Sequence, residues 1–403
     1  MIATASQAGS SLQARNAPRP NMADPAPYPL VSRLVGLETT DDAVKALWND
    51  DRESQFHAVW LRDNCACATC RHPATQERTF LLLDAEQPSL RAATILPGGH
   101  LEATFADGHT SSFDAGWLRA KAYDAWALAE RDQPPVEWAA DMEIPRFPFA
   151  EVMMGSEGLA RWLKGLLETG IAIVTEAPAE PGRLFEIVNR VQNPKETNFG
   201  TLFEVFSKPK PNSSAYTSLG LEPHADLVNW ACPPDFQALF CIENSTGGGR
   251  SIFVNAMTVT EALRLQDPDA FALLSEVPVE FRFQDETCDL RHLAPVVELD
   301  RQGRIRRLRF NNWLRNQTCA PVESMAAWYR AYAKLWSLIR DRRYQLRPML
   351  APGEMVIFDN VRVLHGREAY DANAGRRHLE GCYLDRDWVT SCLRLTDRES
   401  TAL

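Results

Sequence analysis

Apolar positions along this chain fall mostly in short runs broken by Gly, Pro and Asn. From about residue 214 the runs "FQALFCIE" (236–243), "RSIFVNA" (250–256), "PVVELD" (295–300), "IRRLRFNN" (305–312) and "EMVIFDNVRVLHG" (354–366) read as strands of an antiparallel sandwich or barrel. One helical stripe interrupts them. In "VESMAAWYRAYAKLWSLIRD" (322–341), Met325, Trp328, Tyr329, Tyr332, Leu335, Trp336 and Ile339 share a face, which reads as core packing. Nearer the start, "AVWLRDNC" (58–65), "TFLLLD" (79–84) and "HLEATFADG" (100–108) read as short strands, followed by a helical piece over 114–131. Further helices are predicted at 156–169 and 180–192. The proline-rich segment 131–149 reads as a linker.

This pattern divides the chain into a tail (1–27), a small β domain (28–130), the linker and a larger domain (150–403). The tail is rich in Ala, Ser, Pro, Asn and Gln and has no acid before Asp24. It reads as disordered, with a transit peptide as the alternative.

Composition changes this picture little. The 403 residues are 45% hydrophobic and 24% charged, ordinary for a globular protein. The net charge of −10 argues against a nucleic-acid partner, and no apolar run reaches the length of a membrane span. Three of the nine cysteines lie within residues 65–70 and the rest are scattered. That is not a disulfide framework; it points to a reducing, cytoplasmic compartment and one local metal cluster.

Two constellations carry chemistry. In "LGLEPHADLVNW" (219–230), His224 and Asp226 point to the same side of an extended chain. They form either a turn after a strand or half of a metal site. His365 ends an apolar strand and precedes Gly366, which lets the backbone bend close to a ligand. Two histidines and one carboxylate make a facial triad for non-haem Fe(II) with open positions for cosubstrate and dioxygen. Arg376 and Arg377 follow in "GRRHLEGCY", and an inward arginine would offer two parallel donors to a carboxylate. The plainer alternative is an exposed salt bridge. In "WLRDNCACATC" (60–70), Cys65, Cys67 and Cys70 read as three ligands of a tetrahedral zinc site, with three free buried thiols as the alternative. The fourth would come from a neighbouring strand; His109, at a predicted turn tip, is well placed, whereas His72 would strain the loop. Such a site has no open position, so its zinc is structural.

Together, His224-x-Asp226, His365 and Arg377 resemble the Fe(II)/2-oxoglutarate-dependent dioxygenases. The resemblance implies a mainly β chain with flanking helices: a double-stranded β-helix (jelly roll) catalytic domain after a small zinc-binding β domain. "TGGGRSIFVN" (246–255) is similar to the segment that gives 2-oxoglutarate a hydroxyl in the TauD-like branch, a role that would fall to Ser251. The zinc domain opening with "WLRDNC", joined to "AYTSLGLEPHAD", "FDNVRVLHGRE" and "RHLEGCYLDRD", resembles the γ-butyrobetaine dioxygenase family from about residue 45 to 395. Cys65, Cys67, Cys70 and His109 match its three-cysteine, one-histidine site.

Substrates of this family carry a trimethylammonium group, which aromatic faces hold. The resemblance implies a cage of Phe199, Phe203, Tyr216 and Tyr383. Phe199 and Phe203 replace bulkier or hydroxylated rings, and Leu227 stands where a tyrosine can help bind the substrate's carboxylate. Other groups for the anionic end are Asn212 or Ser213, and Asn311 or Asn312, with Arg315 close by. The implied reaction is hydroxylation of γ-butyrobetaine to carnitine. The alternatives are its phosphonate analogue, 2-(trimethylammonio)ethylphosphonate, and, ranked below, trimethyllysine. The implied partners are 2-oxoglutarate, dioxygen and a small quaternary ammonium substrate, and the resemblance leans to a homodimer. A zinc-bearing binding module without catalysis is the non-enzyme alternative; the intact His224, Asp226, His365 and Arg377 set argues against it.

Overall fold

The structure, a computed structural model, describes residues 22, 24, 28–84, 87–132, 135–206 and 217–401. The chain divides into two compact units, 1–134 and 135–403.

The first unit holds two antiparallel three-stranded sheets: Leu34–Thr39, Ala43–Trp48 and Glu53–His57, then Leu90–Ile95, Leu101–Phe105 and Thr110–Phe113. Leu101–Phe105 alternates buried and half-buried residues, as a strand with one covered face should. Val44, Trp48, Phe56, Leu61, Leu101 and Phe105 form its core.

Three local expectations change here. Residues 58–65 are not a strand: Ala58–Asp63 is a helix, burying Ala58 and Leu61 at a helical spacing of three. "TFLLLD" is not a strand either, but ends in a single 3-10 turn, Leu82–Asp84, with Leu83 99% exposed. The helix over 114–131 is two, Ala115–Lys121 and Ala125–Arg131. The Asp114 carboxylate accepts from the Trp117 N–H at the first N-terminus.

The second unit is the jelly roll. A six-stranded sheet runs Arg146–Pro148, Ile171–Thr175, Met355–Asp359, Phe236–Asn244, Arg377–Leu384, Phe203–Val205. A four-stranded sheet runs Leu221–His224, Val363–Arg367, Ser251–Asn255, Gln345–Leu346. Ile171, Ile173, Val356 and Phe358 pack inward with Phe253 and Val363 of the smaller sheet. Their sequence neighbours Ala172, Val174, Met355 and Ile357 pack outward with Trp162, Leu163 and Leu166 of the helix Ser156–Thr169. Both faces are therefore covered, which is why "MVIFD" is a continuous apolar run instead of an alternating one. Trp138, in the segment expected as a linker, is buried in the inward cluster and its Nε1 donates to the Thr169 carbonyl at 2.7 Å.

The stretch 354–366 is two strands in different sheets, not one. The Asp359 carboxylate accepts from Val361 N–H at 3.0 Å and its carbonyl from Arg362 N–H at 3.0 Å, closing a turn between them. Val322–Arg340 is helical as predicted, with Trp328, Tyr332, Leu335 and Ile339 buried. The helix expected over 180–192 is only Arg183–Val188. Ala256–Gln266, Pro268–Glu276 and Arg386–Thr401 are helices that the apolar pattern did not announce. Two had cap signals: Asn255 accepts from Met257 and Thr258 N–H, and Asp267 precedes Pro268 and accepts from Ala270 N–H.

Candidate metal and cosubstrate sites

In the second unit the strands Leu221–His224 and Val363–Arg367 pair so that His224 lies opposite His365. Gly366 makes this possible by absence: a Cβ there would lie 2.4 Å from the Leu221 carbonyl oxygen and 2.8 Å from Pro223 N. The glycine thus serves close approach of the neighbouring strand, not a bend towards a ligand as expected. Asp226 follows on a turn, with Leu227 in the left-handed region at φ 55°, a costly conformation for leucine.

The donor atoms of His224, Asp226 and His365 all lie within 4.8 Å of one another. His224 Nε2 is 3.2 Å from Asp226 Oδ1, and His365 Nε2 is 3.8 Å from Asp226 Oδ2. For bonds of about 2.1 Å, cis ligands of an octahedral metal stand about 3 Å apart, so the set fits one divalent ion. His224 Nδ1 lies 2.9 Å from the Glu222 carbonyl oxygen, a partner that leaves Nε2 to face a metal. Asn360 clamps the backbone of Asp226, accepting from its N–H at 2.8 Å and donating to its carbonyl at 3.0 Å. Tyr383 donates its hydroxyl to Asp226 Oδ2 at 2.8 Å. Burial alone would raise the Asp226 pKa, but His365, His224 and Tyr383 outweigh it and hold the carboxyl well below its usual range. Burial pushes His365 down to about 3.

These residues open into a cavity of about 700 Å³. Arg377 reaches it from the strand Arg377–Leu384 and is 7% exposed. Its Nε and Nη1 are buried with no hydrogen-bond partner among the described residues. A buried guanidinium with unmade hydrogen bonds is costly, and a carboxylate is the group that would satisfy it. Ser251, also buried, lines the same cavity. Arg376 points away and is exposed.

Phe199, Phe203 and Tyr383 line the cavity together: Phe199 and Phe203 centroids are 6.5 Å apart, Phe203 and Tyr383 5.2 Å. Gly381 leaves room for Phe203, since a Cβ there would sit 2.4 Å from its ring. Tyr216, Asn212 and Ser213 lie outside the described residues. Asn311 lines the cavity, but its amide already serves the backbone: Nδ2 donates to the Ala225 carbonyl at 3.0 Å and Oδ1 accepts from Trp313 and Leu314 N–H, both at 3.1 Å. Asn312 is not among the lining residues and accepts from Arg315 at 3.4 Å. Arg315 itself rests over the Tyr332 ring at 4.9 Å.

The lining also includes residues the sequence did not single out. Phe283 packs on Phe199 at 5.4 Å, and Trp313 meets His224 edge-on at 5.6 Å. Asn229 and Gln237 are buried there with side-chain atoms lacking a partner among the described residues. Phe283 sits in "PVEFRFQ", whose alternating apolar residues were a usable strand signal. Asn229 and Gln237 carried none.

In the first unit, Cys65, Cys67, Cys70 and His109 converge. His109 Nε2 lies 3.3, 3.8 and 3.7 Å from the three Sγ atoms in that order. The sulfur–nitrogen edge of a tetrahedral zinc site is about 3.6 Å, from bonds of about 2.3 and 2.0 Å, so the set fits zinc. Burial pushes the Cys65 thiol up to about 11, which a dication would reverse. Arg62 Nη1 donates to Cys70 Sγ at 2.9 Å. His72 instead accepts from the Ala74 and Thr75 N–H groups of its own loop, at 3.3 and 3.2 Å.

Comparison with known proteins agrees with this geometry. The model of the "Taurine catabolism dioxygenase TauD, TfdA family" matches residues 131–383, and that of "Gamma-butyrobetaine hydroxylase-like, N-terminal" matches 35–119. The chain is 39% identical over 381 residues to gamma-butyrobetaine dioxygenase of Pseudomonas sp. (strain AK-1), covering 94% of this chain and 100% of that one. It is 32% identical to the Homo sapiens gamma-butyrobetaine dioxygenase, covering 87% and 94%. To mitochondrial trimethyllysine dioxygenase of Rattus norvegicus it is 30% identical, covering 85% and 82%. Two metal-binding donor sets, the jelly roll and these matches lead to one conclusion: the chain belongs to the γ-butyrobetaine dioxygenase family, TauD/TfdA-type dioxygenases that depend on Fe(II) and 2-oxoglutarate and carry a structural zinc domain.

Proposed function

We propose that this protein hydroxylates γ-butyrobetaine to carnitine, consuming one 2-oxoglutarate and one dioxygen and releasing succinate and carbon dioxide. One observation carries the reading. A single cavity holds His224, Asp226 and His365, the Arg377 donors that lack a partner among the described residues, and the rings of Phe199, Phe203, Phe283 and Tyr383, while Asp226 is the only acidic residue among its described lining. A cation entering it meets aromatic faces, which suit a trimethylammonium group that cannot donate a strong hydrogen bond. Trimethyllysine also carries an α-ammonium group, for which the described lining of the cavity offers no further carboxylate.

His224, Asp226 and His365 would hold iron from one side. When bound, iron with 2-oxoglutarate supplies the oxidising power to hydroxylate an unactivated C–H. Arg377 would pair with the distal carboxylate of 2-oxoglutarate, with Ser251 beside it. The aromatic wall would fix which C–H faces the metal, and a displacement of about 1 Å there costs roughly 100-fold in rate. The phosphonate analogue is the second reading. It is favoured by Leu227, which offers the substrate anion no hydroxyl. A cytoplasmic homodimer completes the proposal on the strength of the family resemblance; light scattering tests the dimer. Among the described residues no helix is long and apolar enough to cross a membrane.

The test is parallel incubation with γ-butyrobetaine, the phosphonate and trimethyllysine, followed by mass spectrometry. γ-Butyrobetaine is expected to gain one oxygen atom, with one succinate formed per product. Preferred turnover of the phosphonate would shift the assignment, and no product from any of the three would defeat it.

A further inference from the structure

Tyr383 touches both halves of the site. Its ring lines the cavity and packs on Phe203, and its hydroxyl reaches past the ring to an oxygen of Asp226. The side chain is held firmly: the residue is 3% exposed and lies opposite Gln237 in the central sheet. The two oxygens of Asp226 therefore stand in different surroundings. Oδ1 faces His224 Nε2 at 3.2 Å, the spacing of two ligands on one metal. Oδ2 accepts the Tyr383 hydroxyl at 2.8 Å; His365 Nε2 stands 3.8 Å from it, beyond hydrogen-bond reach, and among the described residues no other hydrogen-bond donor reaches it.

We infer that Tyr383 is a positioning residue for the metal site: its hydroxyl occupies Asp226 Oδ2, so that Asp226 offers the metal one oxygen, not two. This rests on the iron reading of His224, Asp226 and His365. The consequence is a coordination number. Three protein atoms and a chelating 2-oxoglutarate leave one of six positions, and a carboxylate binding through both oxygens would take it. A hydrogen bond from a hydroxyl to a carboxylate is strong enough to bias that choice, and its donor is a ring that packing already immobilises. The same side chain thus forms the wall against the substrate cation and keeps a position free on the metal.

Tyr383→Phe separates the two roles, because it keeps the ring and removes the hydroxyl. Wild type and variant freed of iron but retaining zinc are titrated anaerobically with Mn(II), a probe that does not turn over, and binding is followed by calorimetry. The affinity should fall about 10-fold or more, the usual effect of losing an outer hydrogen bond to a metal ligand. Substrate affinity of the Mn(II)-loaded variant should stay within about threefold, because the ring remains. With Fe(II), the variant should form more succinate per hydroxylated product than wild type. Equal Mn(II) affinity and an unchanged succinate-to-product ratio would overturn the inference. If the variant does not fold, a crystal structure of the Mn(II)-loaded wild type decides instead: Asp226 bound through Oδ1 alone supports the inference, and both oxygens on the metal refute it. Failure of the wild type itself to bind Mn(II) or Fe(II) at this site would refute the underlying iron reading as well, which distinguishes the two failures.

Discussion

Replacing Arg377 by methionine should weaken 2-oxoglutarate binding and at the same time stabilise the protein without ligand. The guanidinium is buried, with Nε and Nη1 unpartnered among the described residues, and burial pushes its pKa down. Its stem packs against the turn at Gly249, where a Cβ would lie 3.0 Å from Cδ, and a methionine retains most of that stem. Each unmade hydrogen bond of a buried polar group costs about 1–3 kcal/mol, so the variant sheds a penalty that the ligand-free enzyme carries. For a unit of this size about 1 kcal/mol corresponds to roughly 2–4 °C, so the melting temperature of the 2-oxoglutarate-free protein should rise by a few degrees. Breaking a buried charge pair costs about 2–5 kcal/mol, so 2-oxoglutarate affinity should drop between about 30-fold and a few thousand-fold. Differential scanning fluorimetry gives the first quantity, and anaerobic calorimetry on Mn(II)-loaded protein the second. Pyruvate, which lacks the distal carboxylate, should bind wild type and variant alike. An unchanged 2-oxoglutarate affinity, or a melting temperature lowered by several degrees, would refute the reasoning and make Arg377 a structural residue.

Other perturbations test the remaining parts. In Gly366→Ala the new Cβ meets strand backbone at 2.4 Å, so His224 and His365 must separate; iron retention, measured by atomic absorption, should fall at least about 10-fold while zinc content holds. Gly381→Ala should push the Phe203 ring away and raise KM for the trimethylammonium substrate by about 2- to 30-fold, with 2-oxoglutarate affinity unchanged. Stripping zinc with a chelator should remove the cross-link among Cys65, Cys67, Cys70 and His109; hydrogen exchange should then rise across residues 28–132 while the second unit stays protected.

The chemistry of this chain was more legible than its geometry. Alternation predicted a shared face for His224 and Asp226, and His365 follows an apolar run, so few other histidines competed for the role; in the structure the first strand stops at His224, Asp226 sits on the turn after it, and His365 is the middle of Val363–Arg367. Their pairing in register, His224 opposite His365, follows from strand order that the sequence does not show. Gly366 was noticed for the wrong physical reason, since the neighbouring backbone that needs its missing side chain is some 140 residues earlier in the chain. "AVWLRDNC" was misread because so short a stretch, with only Ala58, Leu61 and Arg62 buried in its helix, satisfies a strand and a helix almost equally. "TFLLLD" looked like a core strand, yet Leu81, Leu82 and Leu83 are exposed. Asn229 and Gln237 join the cavity through tertiary packing and carry no motif, whereas Phe283 had a strand signal in "PVEFRFQ" but nothing to aim it at the cavity. Asn311 and Asn312 show the reverse: the motif was visible, but one amide holds backbone and the other does not reach the cavity.

The account depends on His224, Asp226 and His365 jointly holding one ferrous ion, which when bound would supply the chemistry that places one atom of dioxygen in each of two products. The most direct measurement is turnover of γ-butyrobetaine with Fe(II), 2-oxoglutarate and ¹⁸O₂, read by mass spectrometry beside a His365→Ala control. The account predicts one heavy oxygen in the hydroxylated product, one in succinate, and neither product from the control. An unlabelled hydroxyl, or succinate formed as fast by the control as by the wild type, would contradict it.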